Sequence, residues 1–378
     1  MLFRSKIYAD NAATTKLDID AFEAMKPYLL EDYGNPSGAY SFSKKAKCAL
    51  EKARKTIAEC INAEPEQIIF TSGGTESNNH AIKHYTVDSD VKHVITSPIE
   101  HHSVLYACEN SGAKVLTVPV DKYGTVTLDS FAEVLCRPRE VVCSCDSHLV
   151  TIMMANNEIG TIQPIKELAS CGGAVFHTDA VQAVGHISID VKEMGIDMLS
   201  ASAHKFNGPK GVGFLYSRNG LLQPYHHGGS QEFGMRAGTE NVPAIVGMAV
   251  ALRKNVADME QNTAHLNHLT EMFLSMLQEA NLDFILNGHP TNRLPGNINI
   301  SFKGRSGEGL MHMLDLKGIC VSTGSACDSV NQQVSHVIKA IGVPDGYNEG
   351  TIRVTFGKDN TEQEALNIAN TLIKLVRL

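Results

Sequence analysis

Three short stretches carry residue types that chemistry needs. Thr71-Ser72-Gly73-Gly74-Thr75-Glu76-Ser77-Asn78 follows an apolar run and opens a segment of helical character. Glycines let backbone N–H groups approach an anion, a helix start aims N–H groups at it, and the Ser72 and Thr75 hydroxyls add donors. This is the composition of a phosphate cup, although its spacing is neither the Walker nor the Rossmann one. A Gly-rich turn with a Ser or Thr helix cap has the same letters. His177-Thr178-Asp179-Ala180-Val181-Gln182 follows the apolar Ala174 to Phe176. It places a carboxylate at a strand's C-terminal end, where open α/β sheets bind ligands; an Asp capping a helix would look alike. Ser200 to Gly211 offers Lys205 behind Ser202 and His204 in a run of small residues. A lysine partly withdrawn from water loses proton affinity and becomes an imine-forming amine; an exposed loop lysine is the plain alternative. Glu100-His101-His102-Ser103 adds two adjacent histidines, which face different ways and make a poor metal pair.

Each motif alone has a structural explanation, but together they describe one cofactor. A phosphate cup, a carboxylate and a lysine, all at strand ends, are what pyridoxal phosphate (PLP) requires. The lysine forms the Schiff base, the carboxylate keeps the pyridine nitrogen protonated, and the cup holds the phosphate.

The elements that must position these residues read as an α/β chain. Ala46 to Ile61 and Glu76 to His84 have helical character, and strands are expected at 67–71, 93–96, 114–118, 151–154, 174–177 and 197–200. Such alternation predicts a large, mostly parallel sheet. After Leu252 a long helical spacing takes over from Val256, followed by alternating strands at 297–302 and 351–356. The expected division is a large domain over 15–255 and a smaller α+β domain formed by 1–14 and 256–378.

Composition narrows the function classes. The 378 residues carry a net charge of −8, which argues against a nucleic-acid binder, since phosphate neutralisation needs a basic face. The longest clean apolar run, Ala244 to Leu252, is far short of the ~20 residues of a membrane span. The first residues show no apolar signal-peptide core, and nine scattered cysteines suit reduced thiols, so a cytoplasmic protein without membrane attachment is expected. No Gly-x-x-x-x-Gly-Lys-Ser/Thr stretch exists, which sets aside a P-loop ATPase.

A wider set of motifs resembles the NifS/IscS-type cysteine desulfurases of the class V aminotransferase group. These are Tyr8-Ala9-Asp10-Asn11-Ala12-Ala13-Thr14-Thr15, Gly34-Asn35-Pro36-Ser37, the cup, Glu100-His101-His102, Ala155 to Thr161, His177-Thr178-Asp179, Ser202-Ala203-His204-Lys205 and Gly234 to Thr239. Ser322-Thr323-Gly324-Ser325-Ala326-Cys327, followed by Ser335-His336-Val337, resembles their nucleophile loop, here about 320–334. The resemblance spans nearly the whole chain. It implies PLP-dependent transferase fold type I, the aspartate aminotransferase-like fold, with a seven-stranded sheet in the large domain.

The resemblance also implies roles. Lys205 would carry PLP, Asp179 would pair with its pyridine nitrogen, Gln182 would bond the phenolic oxygen, and His101 would stack on the ring and move protons. Thr75, Ser202 and His204, with the Gly74 backbone, would bind the phosphate, and Thr239 would reach the phosphate in a neighbouring subunit of a homodimer. Asn157, Arg353 and Asn35 would hold the substrate, Arg353 taking its carboxylate, a bidentate task suited to a guanidinium. The implied reaction turns L-cysteine into L-alanine and leaves sulfur as a persulfide on Cys327. An acceptor protein then takes it, serving iron–sulfur cluster assembly, tRNA thiolation or DNA phosphorothioation. No standing metal site is implied, although Cys327 could ligate an iron–sulfur species in transit.

Three departures from the family stand out. The helix near 166–173 is shorter than usual, and the preceding segment 136–148 is long and Cys-rich, with Cys143 and Cys145 as a Cys-x-Cys pair. Asp328 beside the nucleophile opposes thiolate formation. Two alternatives remain: a related PLP selenocysteine lyase or aminotransferase, against which Cys327 in its small-residue loop argues, and a poorly active PLP-binding scaffold, against which the intact Lys205, Asp179 and Cys327 argue.

Overall fold

Short, fully apolar or small-residue runs become buried strands, and stripes of apolar residues at helical spacing become the layers that cover them. The computed structural model describes residues 6–86, 93–135, 148–220, 222–324 and 334–378. In chain order they form β1 (Ile7–Tyr8), α1 (Ile19–Leu30), α2 (Lys44–Cys60), β2 (Ile68–Thr71), α3 (Gly74–Thr86), β3 (His93–Thr96), α4 (His102–Glu109), β4 (Lys114–Thr117), α5 (Leu128–Leu135), β5 (His148–Thr151), α6 (Ile165–Ser170) and β6 (Val175–Asp179). There follow β7 (Met198–Ser202), β8 (Gly213–Ser217), α7 (Val242–Ala257), α8 (Met259–Glu279), β9 (Phe284–Asn287), β10 (Asn297–Phe302), α9 (Gly307–Asp315), β11 (Ile319–Cys320), α10 (His336–Ala340), β12 (Thr351–Thr355) and α11 (Glu362–Val376).

A seven-stranded sheet runs β2-β8-β7-β6-β5-β3-β4. Only β8 is antiparallel to its neighbours, so the C-terminal ends of β2, β6 and β7 open on one edge. Every residue of β2, β3, β5, β7 and β8 is buried, as expected for strands covered on both faces. A three-stranded antiparallel sheet, β12-β10-β9, has its own core. There Leu266, Leu269, Phe273 and Leu277 of α8 meet Ile298 and Ile300 of β10 and the Ile368–Leu372 stripe of α11. Helix α11 begins at a reciprocal cap, Thr361 Oγ1 accepting the Glu364 amide (3.2 Å) and the Glu364 carboxylate accepting the Thr361 amide (3.0 Å). No helix of the described residues is long and apolar enough to cross a membrane.

Two local expectations are corrected. The strand read at 151–154 begins three residues earlier, as His148–Thr151. The polar His148 hid this start; its ring stacks on His93 at 5.2 Å in the neighbouring strand. Ile152 to Met154 run on beside β6, their amides bonding His177 and Asp179 carbonyls (3.3 and 2.9 Å), but they have left β3. The long helical pattern after 252 is two helices, broken between Ala257 and Met259. Helix α6 is short, six residues, as its sequence implies. The Cys-rich 136–147 lies outside the described residues.

A buried ion pair and a separate buried carboxyl shape the cup end of the sheet. Arg54 of α2 grips Glu232 at 2.6 and 2.8 Å and donates to the Ile68 carbonyl, while Glu232 also accepts the Phe70 amide (2.8 Å). The grip holds Glu232 and Phe233 in left-handed backbone (φ 46 and 58). Glu100, fully buried after β3, accepts from Ser97 Oγ (2.6 Å) and the Met153 amide (3.0 Å). Burial pushes its carboxyl up to about 8, against those two bonds.

Removing Arg54 leaves Glu232 a buried, unpaired charge. Arg54→Ala should lower stability in urea melts by about 3–5 kcal/mol, whereas breaking the surface pair Lys166–Glu193 (2.6 Å) should cost less than about 1 kcal/mol. Equal losses would contradict this. Because the Glu100 pKa is raised on folding from 4.5 to about 8, its contribution is complete at low pH and is lost as pH climbs through that window. Relative to Glu100→Gln, the wild-type melting temperature should therefore fall between pH 5 and pH 8; a constant difference would contradict it.

Candidate active site

Strand β7 ends at Ser202, and one turn, Ala203–Lys205, lifts the lysine from the sheet edge. The turn closes on Asn207 in left-handed backbone (φ 62), whose amide and side chain bond Thr15 Oγ1 (2.8 Å) and the Lys16 carbonyl (2.9 Å). Lys205 Nζ donates to the carbonyls of Ala12 (2.6 Å) and Ala13 (2.8 Å). Gln182 Nε2 donates to the same Ala12 carbonyl (2.9 Å), so Gln182 and Lys205 reach one point from neighbouring strand ends.

Asp179, buried at the end of β6, accepts the Val181 amide (3.0 Å) and Asn78 Nδ2 (2.7 Å). The same Asn78 nitrogen donates to Ser103 Oγ (2.9 Å), which lies 2.7 Å from His101 Nδ1. The Ser103 amide also donates to that Nδ1 (3.1 Å), so the neutral ring carries its proton on Nε2. Burial lowers the His101 pKa; Asp179 opposes this and Lys205 reinforces it. The imidazole is thus a neutral base facing both charges. Sequence reasoning missed the Asn78 link. Its signal was present: Asn78 lies one turn beyond Gly74, on the face of α3 that meets the sheet.

The cup forms where β2 meets α3. A Cβ on Gly73 would sit 3.4 Å from Ser202 Oγ, and one on Gly213 would come 2.7 Å from Gly73 Cα, so three strand ends converge with no side chain between them. Thr75, His101 and Ser103 line one open cleft. His204 Nδ1 lies 3.2 Å from Thr14 Oγ1, and burial pushes its pKa down to about 4. Glu76, also missed, accepts the Ser72 amide (2.8 Å) and takes Arg236 in a forked pair (2.9 and 3.3 Å). That pair ties the cup to the loop carrying exposed Thr239.

The expected substrate residues are placed unequally. Arg353 of β12 is 2% exposed; its Nη2 donates to Asp10 (2.7 Å), its Nη1 to the Asn157 carbonyl (2.9 Å), and its Nε has no partner. The structure therefore joins Arg353 to Asn157 through backbone. Asn35 lies exposed in the loop before α2, its Oδ1 accepting the Ser37 amide (2.9 Å). Cys327 and Asp328, with Cys143 and Cys145, lie outside the described residues; Gly324 and Ser335 flank the nucleophile segment.

These residues fit PLP. A lysine, a buried carboxylate and a neutral histidine face one space at the sheet edge, beside a cradle of glycines and hydroxyls. Asn78 Oδ1, on the side chain that bonds Asp179, is buried without a partner and so has an acceptor to spare for a polar group beside that carboxylate.

Relatives agree with this geometry. The profile of the family described as aminotransferase class-V matches residues 7–368. The chain is 45% identical to the cysteine desulfurase IscS of Dictyoglomus turgidum, covering 99% of this chain and 96% of that one. It is also 45% identical to the cysteine desulfurase IscS of Methanosarcina thermophila, covering 98% and 92%. Among solved structures, a NifS-like protein superposes with a TM-score of 0.89 at 35% identity, covering 98% and 99% of the two chains. SspA in complex with cysteine superposes with a TM-score of 0.80 at 34% identity, covering 94% and 100%. The chain belongs to the class-V aminotransferases, PLP-dependent enzymes of fold type I, and among them to the cysteine desulfurases.

Proposed function

We propose that the protein converts L-cysteine to L-alanine and passes the sulfur, through a persulfide on Cys327, to a thiol-bearing acceptor protein. The observation that carries this is the convergence of Lys205, Gln182, Asp179 and His101 on one sheet edge, in a chain whose relatives are named for this activity. PLP supplies an electron sink that stabilises negative charge at the substrate's α-carbon.

The chain's own groups do the rest. Lys205 would hold the cofactor, and its amine would serve to move the α-proton. Asp179 keeps a proton on the ring nitrogen, and Asn78 and the Val181 amide fix its orientation. Gln182 supports the ring oxygen. His101, neutral and with its proton on Nε2, would stack on the ring. Gly74, Thr75, Ser202 and His204 receive the phosphate, and Thr239, exposed beyond Arg236, serves the site of a second copy in a homodimer. The unpartnered Arg353 Nε is a donor that a substrate carboxylate satisfies, with Asn157 and Asn35 completing the pocket. The substrate's Cβ–S bond breaks, its sulfur bonds to the Cys327 sulfur, and the carbon takes a proton to become alanine, so that thiol plus cysteine gives persulfide plus alanine.

The separate cores support a large domain over 15–255 and a small one over 1–14 and 256–378. Cytoplasmic work is the reading that free thiols favour, and an iron–sulfur scaffold or another thiol carrier is the acceptor.

With L-cysteine and a reductant, the purified protein should release alanine and sulfide in equal amounts. Cys327→Ser should abolish both while the visible absorbance of bound PLP remains, and Lys205→Ala should remove that absorbance. Alanine formation undiminished in Cys327→Ser would contradict the assignment.

A further inference from the structure

We propose that Arg236 is a positioning residue for the cofactor's phosphate: it neutralises the carboxylate that shapes the cup and so lets the cup accept an anion. The inference rests on the reading of 71–78 as the phosphate cup. Glu76 is the third residue of α3, and its side chain is 7% exposed. Its Oε2 accepts the Ser72 amide at 2.8 Å, a bond that closes the turn from β2 into α3. That bond carries an electrostatic penalty. A phosphate received by the Gly74 and Thr75 amides lies within one helical turn of a buried negative charge, and like charges in water-poor surroundings repel. The helix N-terminus favours an anion, but Glu76 already stands there as one.

Arg236 removes the conflict. Its Nε donates to Glu76 Oε1 at 2.9 Å and its Nη2 to Oε2 at 3.3 Å, the forked contact a guanidinium makes with a carboxylate. Burial works to raise the Glu76 pKa, but Arg236 and Ser72 outweigh it and hold the carboxyl below its ordinary value. The pair therefore stays ionic and carries no net charge. His226 also faces Glu76, but its Nδ1 is 3.9 Å from Oε1, too long for a hydrogen bond. The segment that carries Arg236 has anchors of its own. Arg54 grips Glu232, which accepts the Phe70 amide; the Met235 carbonyl accepts the Tyr225 amide (3.1 Å), and the Ala237 amide donates to the His226 carbonyl (3.2 Å). A substitution at 236 thus changes the charge beside the cup and leaves the segment docked.

The test measures cofactor binding rather than turnover. PLP is removed from the full-length protein, which is then titrated in equilibrium dialysis with PLP and, separately, with pyridoxal, which lacks the phosphate. Arg236→Gln should bind PLP at least tenfold more weakly, and pyridoxal within twofold of wild type. Arg236→Lys, which keeps the charge, should bind PLP within threefold of wild type. The double variant Glu76→Gln/Arg236→Gln has no carboxylate left to neutralise and should regain PLP binding to within threefold of wild type. A double variant as weak as Arg236→Gln would mean a displaced segment rather than an exposed charge, and would overturn the proposal. So would an Arg236→Gln variant that binds PLP like wild type, or that loses PLP and pyridoxal equally. If Arg236→Gln does not fold, Glu76→Gln carries the comparison. With Arg236 unpaired beside the cup it should bind PLP threefold or more tightly than wild type, and unchanged or weaker binding would contradict the account. A wild type that binds pyridoxal as tightly as PLP would overturn the reading of the cup itself.

Discussion

The carbonyls of Ala12 and Ala13 hold the amine of Lys205, and most of the site depends on how that stretch is tied down. Ile7 and Ala9 bond the carbonyls of Gly318 and Cys320 (2.8 and 2.9 Å), which adds the N-terminal strand to the small core. Asp10 locks onto Arg353, and the Ala12 amide takes Thr355 Oγ1 (3.0 Å). Three residues later Thr15 bonds the His204 carbonyl (2.9 Å), inside the large sheet's edge loop. Asp18 then pairs with Lys254 and Lys358 (3.2 and 2.8 Å). Burial works to raise the Asp18 pKa, but Lys358, the Asp20 amide and Lys254 outweigh it and hold it at about 2. One short segment thus sets the spacing between Lys205, Arg353 and both cores.

The site's electrostatics follow from the same burial. Water-poor surroundings disfavour charge on histidines, so His177 falls to about 3 and His204 to about 4 while His101 also drops. Two ion pairs flank the cup and the start of the chain, Glu76 with Arg236 and Asp10 with Arg353. A neutral imidazole between a carboxylate and a lysine suits proton movement without adding a fixed charge to the pocket. Small residues at the ends of β2 and β7 and at the start of β8 leave the room this arrangement needs.

Much of this was legible in the residues. Strand ends rich in Gly, Ser and Thr gave away the cup, and the run Ser202 to Lys205 stands where the sequence alone placed it. Strand β8 and the pairing of β1 with β11 were not read, because two-residue strands and a Gly-led strand carry little periodicity. The start of β5 was masked by a polar histidine that packs on another. The roles of Glu76 and Asp10 depend on partners 160 and 343 residues away, and no local pattern encodes such distances. The resemblance proposes Arg353 as a substrate ligand, but its grip on Asp10 and on the Asn157 backbone was not legible.

Reduction of the purified protein with borohydride, followed by peptide mass mapping, addresses the assignment of Lys205 most directly. The reduced pyridoxyl group should be found on the peptide containing Lys205 and on no other. Label on Lys210 or another lysine, or none in a protein that still turns over cysteine, would contradict the site described above.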